Sequence, residues 1–281
     1  MSYRVIHCDQ GSPEWHQARA GVITASNFKI ARSRTGGLVD MQQKFVNAYR
    51  GDANRIAFAA AEMAGYKNPQ AKADELMVNE KILKALRGEA VGEFTEAARN
   101  LAFRIAFERV SGKPMDEGFQ TWQMERGQEL EPDARREHEI QAGVLVERAG
   151  FIVTEDGVFG ASADGLISTD GGSEYKCLVS ATSLRPVLVD HDNSDFMDQV
   201  QGCMWISHRK WWHLGYYCPQ LEAIGYPLHL VPVARDDNYI AALEADLMEF
   251  KAEVDRMESV IRSLSRRSAI AAQDPHFLQA A

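Results

Sequence analysis

The spacing of apolar residues predicts helices through the first half of the chain. Ser12 is suited to cap a helix and Pro13 to its first turn. Apolar residues recur at helical spacing up to about residue 112, and Pro132 marks the start of a later helix or a kink in it. The expected helices lie at 12–20, 27–32, within a helix-rich stretch over 41–112, and at 121–142.

After Gly143 the pattern changes to short apolar runs with tight turns between them, which is typical of strands. The expected strands lie at 144–154, 157–168, 173–179, 211–218 and 228–233. Helices are expected at 194–208 and from Asp236 to about 264, where acids suit the helix start. This order predicts an α/β (α+β) fold with a mixed central sheet flanked by helices and with N-terminal helical additions.

Composition limits the class of protein. The chain has 281 residues, of which 45% are hydrophobic, and its net charge is −9. No apolar run approaches the ~18 residues that span a bilayer, and the N-terminus does not resemble a signal peptide. The four cysteines form no CxxC pair, which favours a reducing compartment and no zinc ribbon. These features predict a cytoplasmic protein with no membrane partner. Bases outnumber acids in residues 1–50, so the net negative charge is compatible with a locally basic groove that binds DNA.

The stretch "ADGLISTDGGSEYK" carries the candidate chemistry. Glu174 and Lys176 lie two apart, so on a strand they share a face, and a turn at 169–173 folds them back beside Asp164. Two carboxylates in a small site repel each other unless a divalent cation lies between them, and Mg²⁺ prefers such oxygen ligands. Each part also has a structural interpretation, since Asp-Gly is common in turns and Glu-x-Lys on solvated sheet edges. Apolar neighbours favour a buried sheet, where stray charges are costly.

Several ordered motifs resemble one family. "SADGL…SEYKC" is similar to the SPDGL…E-x-K-C signature of the PD-(D/E)xK nuclease superfamily, in the branch of YqaJ-type viral recombinases and phage lambda exonuclease. The resemblance also covers "EWHQARAGVITAS" (14–26), "RGQELEPDAR" (126–135) and "FMDQVQGCMWI" (196–206). It implies a restriction-endonuclease-like core. Ala163 and Leu178 stand where the family has prolines, and both positions shape the backbone rather than bind ligands.

The resemblance implies a role for each matching residue. Asp164, Glu174 and Glu131 would bind metal, Lys176 would be the catalytic lysine that positions the attacking water, and Gln199 would face the same site from a crossing helix. Without the resemblance, Glu131 would be expected on a solvated helix face. The family lysine before Glu131 has no clear counterpart. Trp122 falls near its position, Arg126 is a possible substitute, and Met124 is either an apolar wedge or a core residue.

Arg19 and Ser26 offer a second site. A guanidinium grips phosphate, and a helix start presents N–H groups and a hydroxyl to an anion. In the resembling exonuclease these positions hold the 5′-phosphate of the digested strand. The structural alternative is a surface ion pair for Arg19 and a simple cap for Ser26.

Together these features predict a Mg²⁺-dependent 5′→3′ exonuclease on double-stranded DNA, with Mn²⁺ as a possible substitute, that leaves 3′ tails for single-strand annealing. The resemblance implies a homotrimer and an annealing protein as partner. The cytoplasm is that of a bacterial host if the protein is encoded by a phage or prophage. Two alternatives remain: an endonuclease or structure-specific nuclease, and an inactive DNA-binding module. One nuclease domain is expected over 1–281. It is divided into a phosphate-binding part (1–35), a helical segment that is partly an insertion (36–112), a catalytic core (113–264) and a tail (265–281).

Overall fold

The computed structural model of the chain describes residues 2–52, 54–115, 122–178 and 180–271, without the side chains of 123, 124 and 265–271. Two compact units are present: Met1–Ala31 with Leu101–Ala281, and Arg32–Asn100. None of the helices in these ranges combines the length and apolar character that a membrane span requires.

The helices follow the predicted order. They are α1 (Pro13–Arg19), α2 (Phe28–Ala31), α3 (Asp40–Arg50), α4 (Ala57–Met63), α5 (Pro69–Leu76), α6 (Glu80–Leu86), α7 (Glu96–Ser111), α8 (Trp122–Ala142), α9 (Ala181–Leu188), α10 (Ser194–Ser207) and α11 (Asp237–Ala271). Ser12 caps α1 as expected, because its hydroxyl accepts a hydrogen bond from the N–H of Trp15 at 3.1 Å. A 3₁₀ turn at Ala25–Asn27 precedes α2, and another lies at Pro219–Ile224.

The strands form three sheets. They are β1 (Tyr3–Ile6), β2 (Ile23–Thr24), β3 (Arg34–Thr35), β4 (Glu93–Phe94), β5 (Phe151–Thr154), β6 (Phe159–Ala161), β7 (Gly165–Ile167), β8 (Gly171–Cys177), β9 (Trp211–Tyr217) and β10 (Leu228–Ala234). Two sheets have four strands, in the orders β1-β5-β6-β2 and β10-β9-β8-β7, and β3 pairs with β4. Parallel pairs (β2 with β6, β8 with β9) occur beside antiparallel ones. This confirms the mixed α/β fold.

The expected strand over 144–154 is only partly formed. Strand β5 covers its last four residues, and Glu147 forms a single antiparallel bridge with Leu166 of β7. The segment changes partners between the two larger sheets, so it cannot continue as one strand. Gly150 allows this change, since a Cβ there would lie 2.1 Å from the carbonyl oxygen of Ile6.

The turn of the central hairpin is also shorter than expected. It covers Ser168 to Asp170, whereas Gly171 and Gly172 belong to β8. The parallel register places these two glycines opposite Trp211 and Trp212 of β9. A Cβ would approach the two indole rings to 2.0 Å and 2.4 Å, so the glycines serve ring packing rather than the turn.

Helix α10 is the buried helix of the larger unit. Its buried residues are Asp198, Val200, Gln201, Gly202, Cys203, Met204, Trp205, Ile206 and Ser207. Trp205 contacts Phe28 and Phe159, with ring centroids 6.1 Å and 5.1 Å away. A Cβ at Gly202 would lie 2.6 Å from the Phe28 ring. Close packing at Gly202 therefore holds α10 against the 3₁₀ turn and α2.

The smaller unit has its own core. The core is built from helices α3 to α6 and includes Phe45, Val46, Ala60, Ala61, Leu76 and Ile82. The strands β3 and β4 of this unit form an antiparallel pair, with Arg34 opposite Phe94 and Thr35 opposite Glu93.

Candidate active site

Asp164, Glu174 and Lys176 meet where β7 and β8 lie side by side. Gly165 pairs with Ser173 in an antiparallel register, which places Asp164 opposite Glu174. The Oδ2 atom of Asp164 accepts a hydrogen bond from the backbone N–H of Tyr175 at 2.7 Å. The hairpin therefore brings together the two carboxylates and the lysine that the sequence singles out.

Gln199 of α10 forms a closed triangle with Glu174 and Lys176. Lys176 Nζ donates to Glu174 Oε1 and to Gln199 Oε1, each at 2.9 Å, and Gln199 Nε2 donates to the same Glu174 oxygen at 2.5 Å. Burial acts to lower the pKa of Lys176, but the charges of Glu174 and Asp164 outweigh it and the pKa is raised. Lys176 is therefore held as a cation in a fixed position.

Glu131 faces the same site from α8 and is paired with Arg135 one turn later. Arg135 Nη2 donates to Glu131 Oε1 and, at 3.0 Å, to the backbone carbonyl of Asp164. Burial raises the pKa of Glu131; Arg135 opposes this change and repulsion from Glu174 adds to it. Burial and the charges of Glu174 and Glu131 raise the pKa of Asp164 well above its usual value. The three carboxylates thus repel one another across the site.

These carboxylates fit a divalent cation. Glu174 is 3% exposed, and its Oε2 atom has no hydrogen-bond partner, which is costly for a buried carboxylate. Burial, together with the neighbouring carboxylates, raises the pKa of Asp164, so its ionised form is poorly stabilised as well. A cation between these groups would bind the unpartnered oxygen of Glu174 and stabilise the ionised form of Asp164. Carboxylate oxygens are the ligands that Mg²⁺ prefers.

Two of these carboxylates also have partners within the protein. Across the described ranges, no three His, Cys, Asp or Glu side chains converge closely enough to hold a metal. Glu131 is turned toward Arg135, and one oxygen of Glu174 is engaged by Lys176 and Gln199. Arg135 and Lys176 thus pair with Glu131 and Glu174.

Arg19 and Ser26 lie together in a cluster of hydroxyl groups. Arg19 donates to the hydroxyl oxygens of Ser162 at 2.7 Å, Ser26 at 3.2 Å and Thr24 at 3.4 Å. No carboxylate in the described part of the chain forms an ion pair with this guanidinium, so the surface ion pair considered from the sequence is absent there. Burial and the positive charge of Arg104 lower the pKa of Arg19 to about 10, which leaves it charged at neutral pH. Arg19, Thr24, Ser26 and Ser162 form what we term the anion clamp, because a cation among hydroxyls is suited to bind phosphate.

Ser162 connects the anion clamp to the carboxylates. Its Oγ atom also accepts a hydrogen bond from Trp15 Nε1 at 2.9 Å, and the Arg19 guanidinium carbon lies 4.1 Å from the centre of the Trp15 ring. Asp164 follows only two residues later. A cavity of about 460 Å³ is lined by Trp15 together with Glu131, Arg135 and Asp164. The clamp therefore lies next to Asp164 along the chain, and Trp15 contacts both the clamp and this cavity.

Sequence reasoning missed Ser162, Thr24 and Arg135. Arg135 lies four residues after Glu131, a spacing that predicts an ion pair on a helix. Ser162 lies two residues before Asp164, but its contacts come from α1 and had no local signal. Arg126 lies over the Trp122 ring at 5.9 Å. The side chain of Met124 is outside the described residues.

Comparisons with known proteins identify similar sequences. The model of the YqaJ-like viral recombinase domain matches residues 89–210, a range that includes Glu131, the hairpin carboxylates and Gln199. ExoD of Escherichia coli (strain K12) is 32% identical over 62 residues, which are 22% of this chain and 69% of ExoD.

Solved structures share the fold. The alkaline exonuclease LHK-Exo from Laribacter hongkongensis superposes with a TM-score of 0.61 at 21% identity, covering 91% of this chain and 99% of its own. LHK-Exo in complex with dAMP gives 0.60 at 23% identity, with the same coverage. The family resemblance found in the sequence is confirmed: the chain belongs to the YqaJ-like viral recombinase family and is a nuclease.

Proposed function

We propose that the protein is a Mg²⁺-dependent exonuclease that digests double-stranded DNA from the 5′ end. The remaining 3′ single-stranded tail would serve recombination by single-strand annealing. The observation that carries this proposal is the anion clamp, which contacts the chain two residues before Asp164. A clamp for a terminal 5′-phosphate beside a hydrolytic centre would restrict cleavage to the strand end. LHK-Exo, which binds the 5′-monophosphate dAMP, supports a deoxynucleotide substrate.

Each part of the site has a role in this proposal. Asp164, Glu174 and Glu131 would hold Mg²⁺, with Mn²⁺ as a substitute. When bound, the ion would lower the pKa of water and offset charge on the phosphate. Lys176, held by Glu174 and Gln199, would orient the attacking water. Arg19 and the clamp hydroxyls would hold the 5′-phosphate and so choose the end that is cut.

Family membership supports two further parts of the proposal. The protein would act as a homotrimer around the duplex in the cytoplasm of a bacterial host. Its partner would be a protein that anneals the exposed single strands.

A digestion assay tests the proposal against its alternatives. In Mg²⁺, we expect linear duplex with 5′-phosphate ends to be degraded faster than duplex with 5′-hydroxyl ends, and closed circular duplex to stay intact. Efficient cleavage of the circle would support an endonuclease instead. If neither Mg²⁺ nor Mn²⁺ gives hydrolysis, the protein is a DNA-binding module.

A variant of the clamp makes the assay specific. Arg19→Gln should slow digestion of 5′-phosphate ends by about tenfold or more, since it removes a charge-assisted phosphate contact, and should leave 5′-hydroxyl ends much less affected. Arg4→Gln, on the exposed strand β1, is the matched control and should digest both ends like the wild type. An unchanged preference in Arg19→Gln would remove the clamp from the proposal.

A further inference from the structure

Arg135 is a buried cation among the candidate metal ligands. Its side chain is 13% exposed and that of its partner Glu131 is 20% exposed. The neighbouring Arg136 differs in exposure and in partner, because it is 65% exposed and pairs with Asp133 on the outer face of the helix. Burying a guanidinium is costly, so its position at Glu131 calls for a compensating role.

The contacts of Arg135 all point into the site. One nitrogen, Nη2, contacts both the Glu131 carboxylate and the backbone carbonyl of Asp164, and thus two of the three acidic positions. The buried Nε atom has no hydrogen-bond partner. The side chain also lines the 460 Å³ cavity together with Glu131 and Asp164. A guanidinium that served only to brace α8 would be expected to have all its buried donors satisfied.

The charges of the site explain what this cation does. Two cations, Lys176 and Arg135, form hydrogen bonds with the carboxylates of Glu174 and Glu131. Arg148 also acts on Glu131, but it is 68% exposed and is paired with Asp9, so Arg135 is the buried cation in contact with Glu131. Loss of the Arg135 charge makes the site more negative by one unit, whatever the charges of the other groups. A divalent ion would therefore be attracted more strongly if Arg135 were neutral.

We infer that Arg135 is a placeholder cation: it neutralises Glu131 when no metal is bound, and a divalent ion must displace it from that carboxylate in order to bind. The inference rests on the metal site of the proposed function. Its consequence is that Arg135 stabilises the metal-free fold and weakens metal binding to the free protein. The phosphates of DNA bring the negative charge that reverses this balance, so the ion and the DNA favour each other's binding.

Calorimetric titration of Mn²⁺ into the full chain without DNA tests this role. Arg135→Gln removes the charge and keeps a hydrogen-bond donor, and we expect it to bind Mn²⁺ about tenfold more tightly or better. Arg135→Lys keeps the charge, and Arg136→Gln removes a charge on the outer face. Both should bind Mn²⁺ within about twofold of the wild type, because the Coulomb interaction with a distant solvated charge is weak.

The melting temperature, measured with and without Mn²⁺, gives a second test of the inference. In chelator, Arg135→Gln should melt below the wild type, and saturating Mn²⁺ should raise its melting temperature by more than it raises that of the wild type. A side chain that only braced α8 would lower both melting temperatures equally. Mn²⁺ binding by Arg135→Gln that is unchanged or weaker would overturn the inference alone. A wild type that binds no Mn²⁺ would overturn the metal site of the proposed function and the inference with it.

Discussion

The ammonium group of Lys176 has three N–H donors, and the site accounts for two of them. These donate to Glu174 and Gln199, and the Phe196 ring lies 5.4 Å from the nitrogen. Within the described residues the third donor has no hydrogen-bond acceptor, so it is the one that can direct a water molecule. Gln199 matters because it fixes the direction of that donor.

Replacing Lys176 should therefore separate catalysis from binding. Lys176→Ala should lower kcat by about 10²–10⁴-fold, and Gln199→Ala by a smaller factor of about ten, while duplex binding stays within a few-fold of the wild type. Single-turnover digestion and a binding titration measure the two quantities. Lys210→Ala, an exposed lysine before β9, should leave both unchanged. Full activity in Lys176→Ala would show that the assigned centre is wrong.

Residues could be assigned from the sequence where they lie close together along the chain. Asp164, Glu174 and Lys176 span one hairpin, so strand periodicity is enough to bring them together. The contact of Ser162 with Arg19 joins positions 143 residues apart. That contact depends on how α1 packs against the sheet, and no local pattern encodes it.

At the scale of elements, helix α8 is attached to the sheet by a chain of hydrogen bonds. His138 is fully buried, and its ring nitrogens lie 2.8 Å from Tyr175 Oη and 2.8 Å from His213 Nδ1. A neutral arrangement satisfies every group if Tyr175 donates to His138 and His138 donates to His213. Since Glu131 lies two turns earlier on the same face of α8, this attachment sets its distance from β8.

The buried His138 should make the fold sensitive to acid. Burial and the neighbouring His213 lower the pKa of His138 to about 4, from 6.5 in the unfolded chain. Between these values the unfolded chain binds a proton that the folded protein excludes, so stability is full above about pH 6.5 and falls toward pH 4. The loss should be on the order of 2–3 kcal/mol.

Urea unfolding at several pH values measures this loss. His138→Gln should flatten the dependence between pH 6.5 and 4, whereas replacement of the exposed His191 should keep it. An unchanged slope in His138→Gln would assign the acid sensitivity to other groups.

Two helical glycines should respond in opposite ways to substitution. Gly202→Ala should destabilise the fold by about 1–3 kcal/mol, because its Cβ would lie 2.6 Å from the Phe28 ring. Gly127→Ala on α8 has nothing within 4 Å and should stabilise by about 0.5–1 kcal/mol. Denaturant midpoints measure both. Equal effects would mean that Gly202 does not control the packing of α10 on α2.

Local patterns predicted the helices well but missed β1 and α9. Strand β1 pairs with β5, with Tyr3 opposite Thr154, and a partner so distant in sequence gives no periodic signal. Helix α9 contains Pro186, which lowers its helix propensity. The predicted mixed sheet is in fact divided into two four-stranded sheets, because the chain leaves β6 and begins β7 at the site itself.

At the scale of the whole molecule, every candidate site residue belongs to the larger unit. The smaller unit runs from Arg32 to Asn100, and its strands β3 and β4 pair near its two ends, where Thr35 lies opposite Glu93. Two residues can join such antiparallel partners when their sequence is Asn-Gly. The smaller unit thus has the architecture of an insertion, although the division of the chain into domains stays a prediction.

Removing the insertion should leave the chemistry intact. We expect a chain in which Asn-Gly replaces residues 36–92 to fold and to hydrolyse 5′-phosphate duplex with kcat within about tenfold of the full chain, because the anion clamp and carboxylates are unchanged. Circular dichroism and the digestion assay check this. A folded but inactive product would show that the smaller unit takes part in catalysis, and an unfolded one that the larger unit needs it for stability.

Ser162 and Asp164 are separated by a single residue, and two backbone steps span at most about 7 Å. If the proposed function holds, this short covalent connection fixes the distance between the phosphate-binding group and the metal site. The Ser162 hydroxyl of the anion clamp and the proposed metal ligand Asp164 therefore stay close together, provided that α1 keeps Arg19 against Ser162. The distance between these two residues would then set the length of the released product. Substitutions outside the anion clamp and the carboxylates would change the rate of digestion, but not the length of the product released at each cleavage.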